Sequence, residues 1–486
     1  MCFNANAARY PDLQTRTILI KPPQPRDYKI LVTSRFAFKR FGNPYELKPL
    51  SPVDAKTLFC QSASVSESDP NIHDEMKQIL KGCGGLPLAL LLAGGSLRGK
   101  DYGTWQSMAM KWSERKFALD LGTDMLDNLK KLLDVLDTKD DIKECFMDLA
   151  LFPQDQRNPA AAFIDMWVEL SKQDEDGLNN LDEDGMIAMD NLQELNNRNM
   201  AHIVDTRRLA NVKDKYYNYH FITQHDLLWE LAMKQSSKVP MDKRKRMIVH
   251  IVGNDIPHSW TKRQKLKARV LSISTGENFN SDWKKCNIEP TEAEVLVLNL
   301  QTKNYTLPVF MEKMSKVKVL IVTNYDFSCV EFKNLELVGS LSSLRRMRLE
   351  KVLVPFFVQL ENLKKLSLFM CNVSQAFESS SHPISNALPN LAEINVDYCN
   401  DMVELPNGLC DIVSLKELCI TNCHKLSSVP EQIRELVDLE VLRLNSCTDL
   451  EELPDSIRSL DKLRILDISY CRQLLYGNNG HPFLNI

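Results

Sequence analysis

The chain is defined first by what is missing from it. No stretch of its 486 residues approaches the roughly 18 apolar residues of a membrane span. Met1 to Tyr10 contains no apolar block of the kind that leads a secreted protein. Thirteen cysteines are scattered along the chain without a single CxxC pair. That pattern suits neither a disulfide framework nor a structural zinc site, and reduced thiols in a cytoplasmic chain are the expectation. Positive charge is not in excess: the net charge of −4 predicts no bulk attraction to nucleic acid or to an anionic membrane. The basic run Lys243-Arg244-Lys245-Arg246 reads as a solvated helix face. GxxxxGK(S/T) occurs nowhere. That loop supplies the backbone amides and lysine that hold nucleotide phosphates and the hydroxyl that binds magnesium, so no catalytic residue and no metal ligand is assigned and the chain is not expected to be an enzyme.

What is present is a repeat. Four segments align at a spacing of 24: LAEINVDYC from Leu391, LKELCITNC from Leu415, LEVLRLNSC from Leu439 and LRILDISYC from Leu463. Each has apolar residues at its first, fourth and sixth positions and a cysteine at its ninth. The pattern predicts a short strand with alternate side chains turned into a solenoid. At the ninth position the chain turns away, and a small polar group can bond neighbouring backbone. Looser copies precede these at Ala268-Leu271-Ile273, Ala293-Leu296-Leu298, Val317-Leu320-Val322, Leu344-Met347-Leu349 and Leu363-Leu366-Leu368, giving about nine leucine-rich repeats over 262–486. One repeat cannot bury enough surface alone, so the copies stack. The outward strand positions Glu417, Thr421, Arg443, Asn445, Asp467 and Ser469 are the candidate contacts for a protein partner.

Upstream the pattern changes. Lys29 to Thr33 is a short apolar run that ends at Ser34-Arg35 and reads as a buried strand. Helical periodicity covers Asp74–Leu80 and Leu88–Leu97, joined by Gly82-Cys83-Gly84-Gly85-Leu86-Pro87; glycine permits the tight turn and proline suits a first helical turn. Residues 124–235 read as helices with short loops. His202-Ile203-Val204 and Tyr219-His220-Phe221-Ile222 are two strands, and Gln224-His225-Asp226 opens a helix through Met233. Helices followed by a hairpin make a winged-helix pattern, which raises DNA binding as a reading, but the segment lacks a strong basic face and no nucleic acid is expected.

Taken in order, Lys29–Arg35, Gly84–Ala89, Cys145–Pro153 (CFMDLALFP) and Gln224–Asp226 resemble the NB-ARC module of plant nucleotide-binding leucine-rich-repeat immune receptors. The variants ILVTSRFAF and ELPNGLCDIVSLKEL resemble the helper class of those receptors, whose members carry an N-terminal domain named for powdery mildew resistance. The resemblance implies a multidomain fold. It comprises an atypical segment 1–28 and an α/β remnant of a nucleotide-binding sheet at 29–62. An α-helical bundle at 63–123, a winged helix at 124–250 and the α/β solenoid at 262–486 follow. It implies ADP or ATP as cofactor, with Arg35 sensing the terminal phosphate, Pro87 beside the adenine and His225 at the diphosphate. Gln224 and Asp226 would be regulatory, Asp226 bracing the domains. Without the phosphate loop, binding is expected to be weak or absent. The expected function is thus plant defence signalling by the regulatory part of an N-terminally truncated switch receptor, engaging other immune proteins through the repeats. The alternative is an intact ATP-hydrolysing switch, if the N-terminal half is missing through a gene-model error.

Overall fold

The computed structural model describes residues 2–4, 31–33, 45, 47–114, 129–130, 140–171, 181–205, 219–240, 243–280, 282–378 and 383–476. Near the start, β1 (Cys2–Asn4) pairs in parallel with β2 (Leu31–Thr33), the strand expected there.

Four helices follow: α1 (Pro52–Ala63), α2 (His73–Cys83), α3 (Pro87–Leu97) and α4 (Tyr102–Glu114). Their ends are written in the sequence. Ser51 caps α1, its Oγ accepting from Asp54 N at 3.2 Å, and Pro52 occupies the first turn. Asp74 and Glu75 sit in the first turn of α2 and Lys81 in its last, complementing the helix dipole. The turn into α3 needs its glycines. Gly84 and Gly85 have φ of 57° and 72°, and a Cβ on Gly85 would stand 2.7 Å from the Leu50 carbonyl.

A second group comprises α5 (Asp140–Asp148), α6 (Ala160–Ser171), α7 (Leu181–Asn197) and α8 (Asp226–Lys238). A small antiparallel sheet joins them, with β5 (His220–Thr223) between β3 (Asn158–Pro159) and β4 (His202–Asp205). The helices match the expected segments closely. Of the stretch from 124 to 139, expected to be helical with short loops, only residues 129–130 are described.

The rest is dominated by one ten-stranded parallel sheet, with smaller two- and three-stranded sheets beside it. It is built by β6 (Arg246–Ile251), β7 (Val270–Thr275), β8 (Val295–Leu300), β9 (Val319–Asn324) and β10 (Arg346–Glu350). It continues through β11 (Lys365–Phe369), β12 (Glu393–Asp397), β13 (Glu417–Thr421), β14 (Val441–Arg443) and β15 (Ile465–Asp467). Every repeat copy named from the sequence supplies one strand, in register: Leu271 opposite Leu296, Leu296 opposite Leu320, Leu418 opposite Leu442. The sheet also begins one strand upstream of the expected start at 262. The basic run is not a helix face: Arg246 opens β6 and is buried.

The cysteine positions behave as the spacing implied. The residue ahead of each repeat cysteine turns the chain in the left-handed region: Met370, Tyr398, Asn422, Ser446 and Tyr470 have φ between 52° and 63°. The thiol then points back inside and donates to a strand carbonyl of the preceding repeat. Cys371 reaches Leu349 O at 3.4 Å, Cys447 reaches Ile420 O at 3.5 Å and Cys471 reaches Leu444 O at 2.8 Å. Cys399, Cys423 and Cys447 are fully buried. Their role is structural, the bonding of backbone groups that a turn leaves unpaired.

Candidate functional site

The strands of the first repeats are buried on both faces. Leu296, Leu298 and Leu320 fill the solenoid interior, whereas Val270, Val295, Val297, Val319 and Ile321 on the opposite, concave face belong to the core of the helical part. The helices therefore lie inside the curve of the solenoid. The CFMDLALFP segment makes the seam. Leu151 O accepts from Ser272 Oγ at 2.6 Å and from Asn299 Nδ2 at 2.9 Å. Phe152 O accepts from Trp229 Nε1 at 2.8 Å.

Two buried charge clusters pin this seam. In the first, Arg246 Nε donates to Asp148 Oδ1 at 2.8 Å and its Nη2 to Glu144 Oε2 at 2.6 Å. Trp167 Nε1 donates to the other oxygen of Asp148 at 3.0 Å. In the second, α6 contributes Asp165 and Glu169. Arg346 donates from Nη1 to Asp165 at 2.7 Å and from Nε to Glu169 at 2.8 Å. Lys365 Nζ lies 3.4 Å from Asp165 and 2.8 Å from Glu393, and Arg345 reaches Glu169 at 3.3 Å. Burial raises the Asp165 pKa, but Lys365 and Arg346 outweigh that push and hold the carboxyl below its ordinary value. Burial pushes the Asp148 carboxyl up in spite of Arg246.

These residues were not singled out in the sequence, although a trace of them was there. Asp165 and Glu169 stand one helical turn apart in AAAFIDMWVELS, a helix otherwise apolar. Arg346 and Arg348 sit on alternate strand positions, and so on one face. Buried carboxylates on an apolar helix call for cations, but the sequence does not say which.

Arg35 lies outside the described residues. Pro87 is exposed in the first turn of α3. His225 caps α8: its Nδ1 accepts from Leu227 N at 3.2 Å and lies 2.7 Å from Asp226 Oδ1, and its side chain is about half exposed, 48%. Asp226 Oδ1 also accepts from Leu227 N, at 2.8 Å. Gln224 Nε2 donates to Met200 O at 3.4 Å, while its buried Oε1 has no partner. A half-exposed imidazole at a helix N-terminus suits the edge of an anion. It does not replace a cradle of amides.

Of the six expected partner contacts, Thr421, Arg443 and Asn445 are buried. Their polar atoms serve the sheet itself. Thr421 Oγ1 donates to Asp397 Oδ1 at 2.8 Å, and Asn422 Nδ2 to the same oxygen at 2.7 Å. Asn445 bonds Asp467 and Ser469, and Arg443 lies 3.5 Å from Asp467. Glu417 and Asp467 are partly exposed and Ser469 is exposed. Neighbouring strands are close enough for such side chains to satisfy one another, which single-strand periodicity cannot foresee.

Among the described residues no helix is long and apolar enough to cross a membrane, and no cluster of three or more histidine, cysteine or acidic side chains forms a metal site. No protein-family profile matches the chain. Curated relatives do. A probable disease resistance protein of Arabidopsis thaliana is 41% identical over 398 residues, covering 80% of this chain and 47% of that protein. A second is 39% identical over the same length, covering 80% and 47%. Disease resistance protein ADR1 of the same plant is 31% identical over 396 residues, covering 79% and 48%. The chain thus spans about half the length of the curated relatives it matches. Among solved structures, the leucine-rich repeat domain of a bacterial type III effector aligns with a TM-score of 0.38 and 19% identity, covering 50% of this chain and 81% of that one.

Proposed function

The chain belongs to the family of plant disease resistance proteins, and from that premise we propose that it acts in plant defence signalling as a regulatory and sensing piece, binding protein partners rather than turning over a nucleotide. The observation that carries this reading is the seam itself: buried ion pairs from Asp148, Asp165 and Glu169 fasten the helices to the concave face of the repeats. A partner that engages the repeats is thereby coupled to the helices that carry Pro87 and His225. On this reading the helices α5 to α8 with β3–β5 form a winged helix that works inside the chain and not on DNA. On this reading the chain acts in the cytoplasm.

The nucleotide is the family's, ADP or ATP. The residues present fit only the rim of such a site. His225 offers a half-exposed imidazole and Pro87 an apolar edge, and nothing in the sequence supplies the phosphate loop. Calorimetric titration of the full chain with ADP tests this. Affinity no tighter than about a millimolar is expected, and a Kd in the micromolar range, about 4 kcal/mol more favourable, would overturn the claim that this piece no longer holds nucleotide.

A further inference from the structure

The repeat interval departs from 24 most sharply at one place. Leu344 and Leu363 stand only 19 positions apart, between intervals of 27 and 28. A short repeat must omit something. It keeps its strand, β10, and the following short strand Val352–Leu353, because these carry the sheet and the turn. What it omits is the helical segment on the convex side. The preceding repeat has a 3-10 helix at Leu335–Ser340, and the following one has helical turns at Ser374–Glu378 and Ile384–Ala387. Residues 354–360 have no helix at all.

The omission leaves a groove of about 560 Å³ on the convex side. This lies within the range of roughly 300–1,000 Å³ typical of ligand sites. Leu341, Leu344, Phe357 and Leu360 make its floor, and Glu336 and Glu361 stand on its rim. No lysine or arginine lines it. The Glu361 carboxylate has only the side-chain amide of Gln359, at 3.3 Å. The groove also offers backbone. Among the described residues the N–H groups and carbonyls of Phe357, Val358 and Gln359 make no hydrogen bond, whereas Val354 N and Leu360 N on either side are bonded to Asn372 O and Ala387 O. Backbone groups left open in an extended stretch are what a second extended chain pairs with.

We propose that this notch is a docking site for an extended peptide segment of a partner protein, one that places aliphatic or aromatic side chains on the Leu341–Phe357 floor and lysine or arginine against Glu336 and Glu361. The open amides of Phe357–Gln359 fix the direction and register of the segment, the floor supplies the apolar burial, and the two carboxylates select for positive charge. The site is on the opposite side of the solenoid from the helices, so it can be filled while the seam is intact.

The test uses the full chain and a fluorescein-labelled heptapeptide with arginine at both ends and leucine and phenylalanine at alternate inner positions, read by fluorescence polarisation. Its glutamate-ended counterpart is expected to bind at least about tenfold more weakly, a difference of about 1.4 kcal/mol. Gly339→Phe fills the groove from a position where a Cβ meets only Gln359 O at 3.8 Å and Val358 at 3.9 Å, and it is expected to weaken binding by about tenfold or more with the melting temperature unchanged. Should that variant fail to fold, Glu336→Lys with Glu361→Lys, both on exposed residues, should reverse the preference between the two peptides. Absence of binding, equal binding of the two peptides, indifference to these substitutions, or undiminished binding of a peptide N-methylated along its backbone would each overturn the proposal.

Discussion

Asp165 and Arg346 are held 2.7 Å apart across 181 positions of sequence, and both are buried. Removing one side of such a pair leaves a charge in a poor solvent, which costs about 3–5 kcal/mol, whereas removing both is often nearly neutral. Asp165→Ala should therefore destabilise the chain by about that amount, and adding Arg346→Met should recover much of it. Urea unfolding of the single and double variants measures the coupling. Losses that simply add would mean that the two residues are not one unit.

Acid should loosen the seam in two stages. His250, on β6, is half-buried against the Trp229 ring at 5.7 Å, and its enclosed Nε2 has no partner among the described residues. Burial pulls its pKa below the ordinary 6.5. The unfolded chain thus takes up a proton near pH 6.5 that the folded chain refuses, and stability falls as the pH drops below that value. Asp165 has a depressed folded pKa, so its contribution is full above the ordinary carboxylate range and is lost further down, as the pH falls through the folded value. Melting temperatures between pH 7.5 and 5 should decline in the parent and less in His250→Phe. Parallel profiles would refute the assignment.

The repeat cysteines should be silent toward alkylating reagents. Burial pushes the Cys447 thiol up to about 12 and that of Cys410 likewise to about 12, and a thiol that stays protonated is a poor nucleophile. With iodoacetamide at pH 8, Cys286 and Cys329, which are only partly buried, should label first. Cys399, Cys423 and Cys447 should label only after unfolding. Early modification of those three, read by peptide mass mapping, would contradict their burial.

Partner binding should depend on the exposed members of the outward set. Glu417→Lys together with Ser469→Trp changes two positions that face solvent at least in part and gives up the Ser469 bonds to Asn445 and Asp467, so the melting temperature should fall only slightly. Co-purification of partner proteins from plant extract should fall by about tenfold. Unchanged co-purification would move the contact surface elsewhere.

Much of this architecture was legible because a repeat writes its own geometry. Leu391, Leu415, Leu439 and Leu463 set the period, and each strand fell where the spacing put it. β6 escaped because RMIVHI carries neither the cysteine nor the leucine triplet. Its membership of the sheet is decided by pairing with β7 and by Arg246 meeting Asp148. The seam was illegible for the same reason. Whether Arg346 pairs with Asp165 depends on two distant segments arriving together, and no local period encodes that. The outward positions Thr421 and Arg443 lie on their strands, whereas Asn445 and Ser469 fall in the turns after β14 and β15, and strand periodicity gives the direction of a side chain and not the neighbours that close over it.

The helices' hydrogen bonds and ion pairs extend along the sheet from Arg246 on β6 to Lys365 on β11. At about 4.8 Å between strands, that is a span of roughly 24 Å. A change in the curvature of those six strands therefore moves the carboxylates of α5 and α6 with it, so the bend of the sheet and the seating of the helices act as a single mechanical variable.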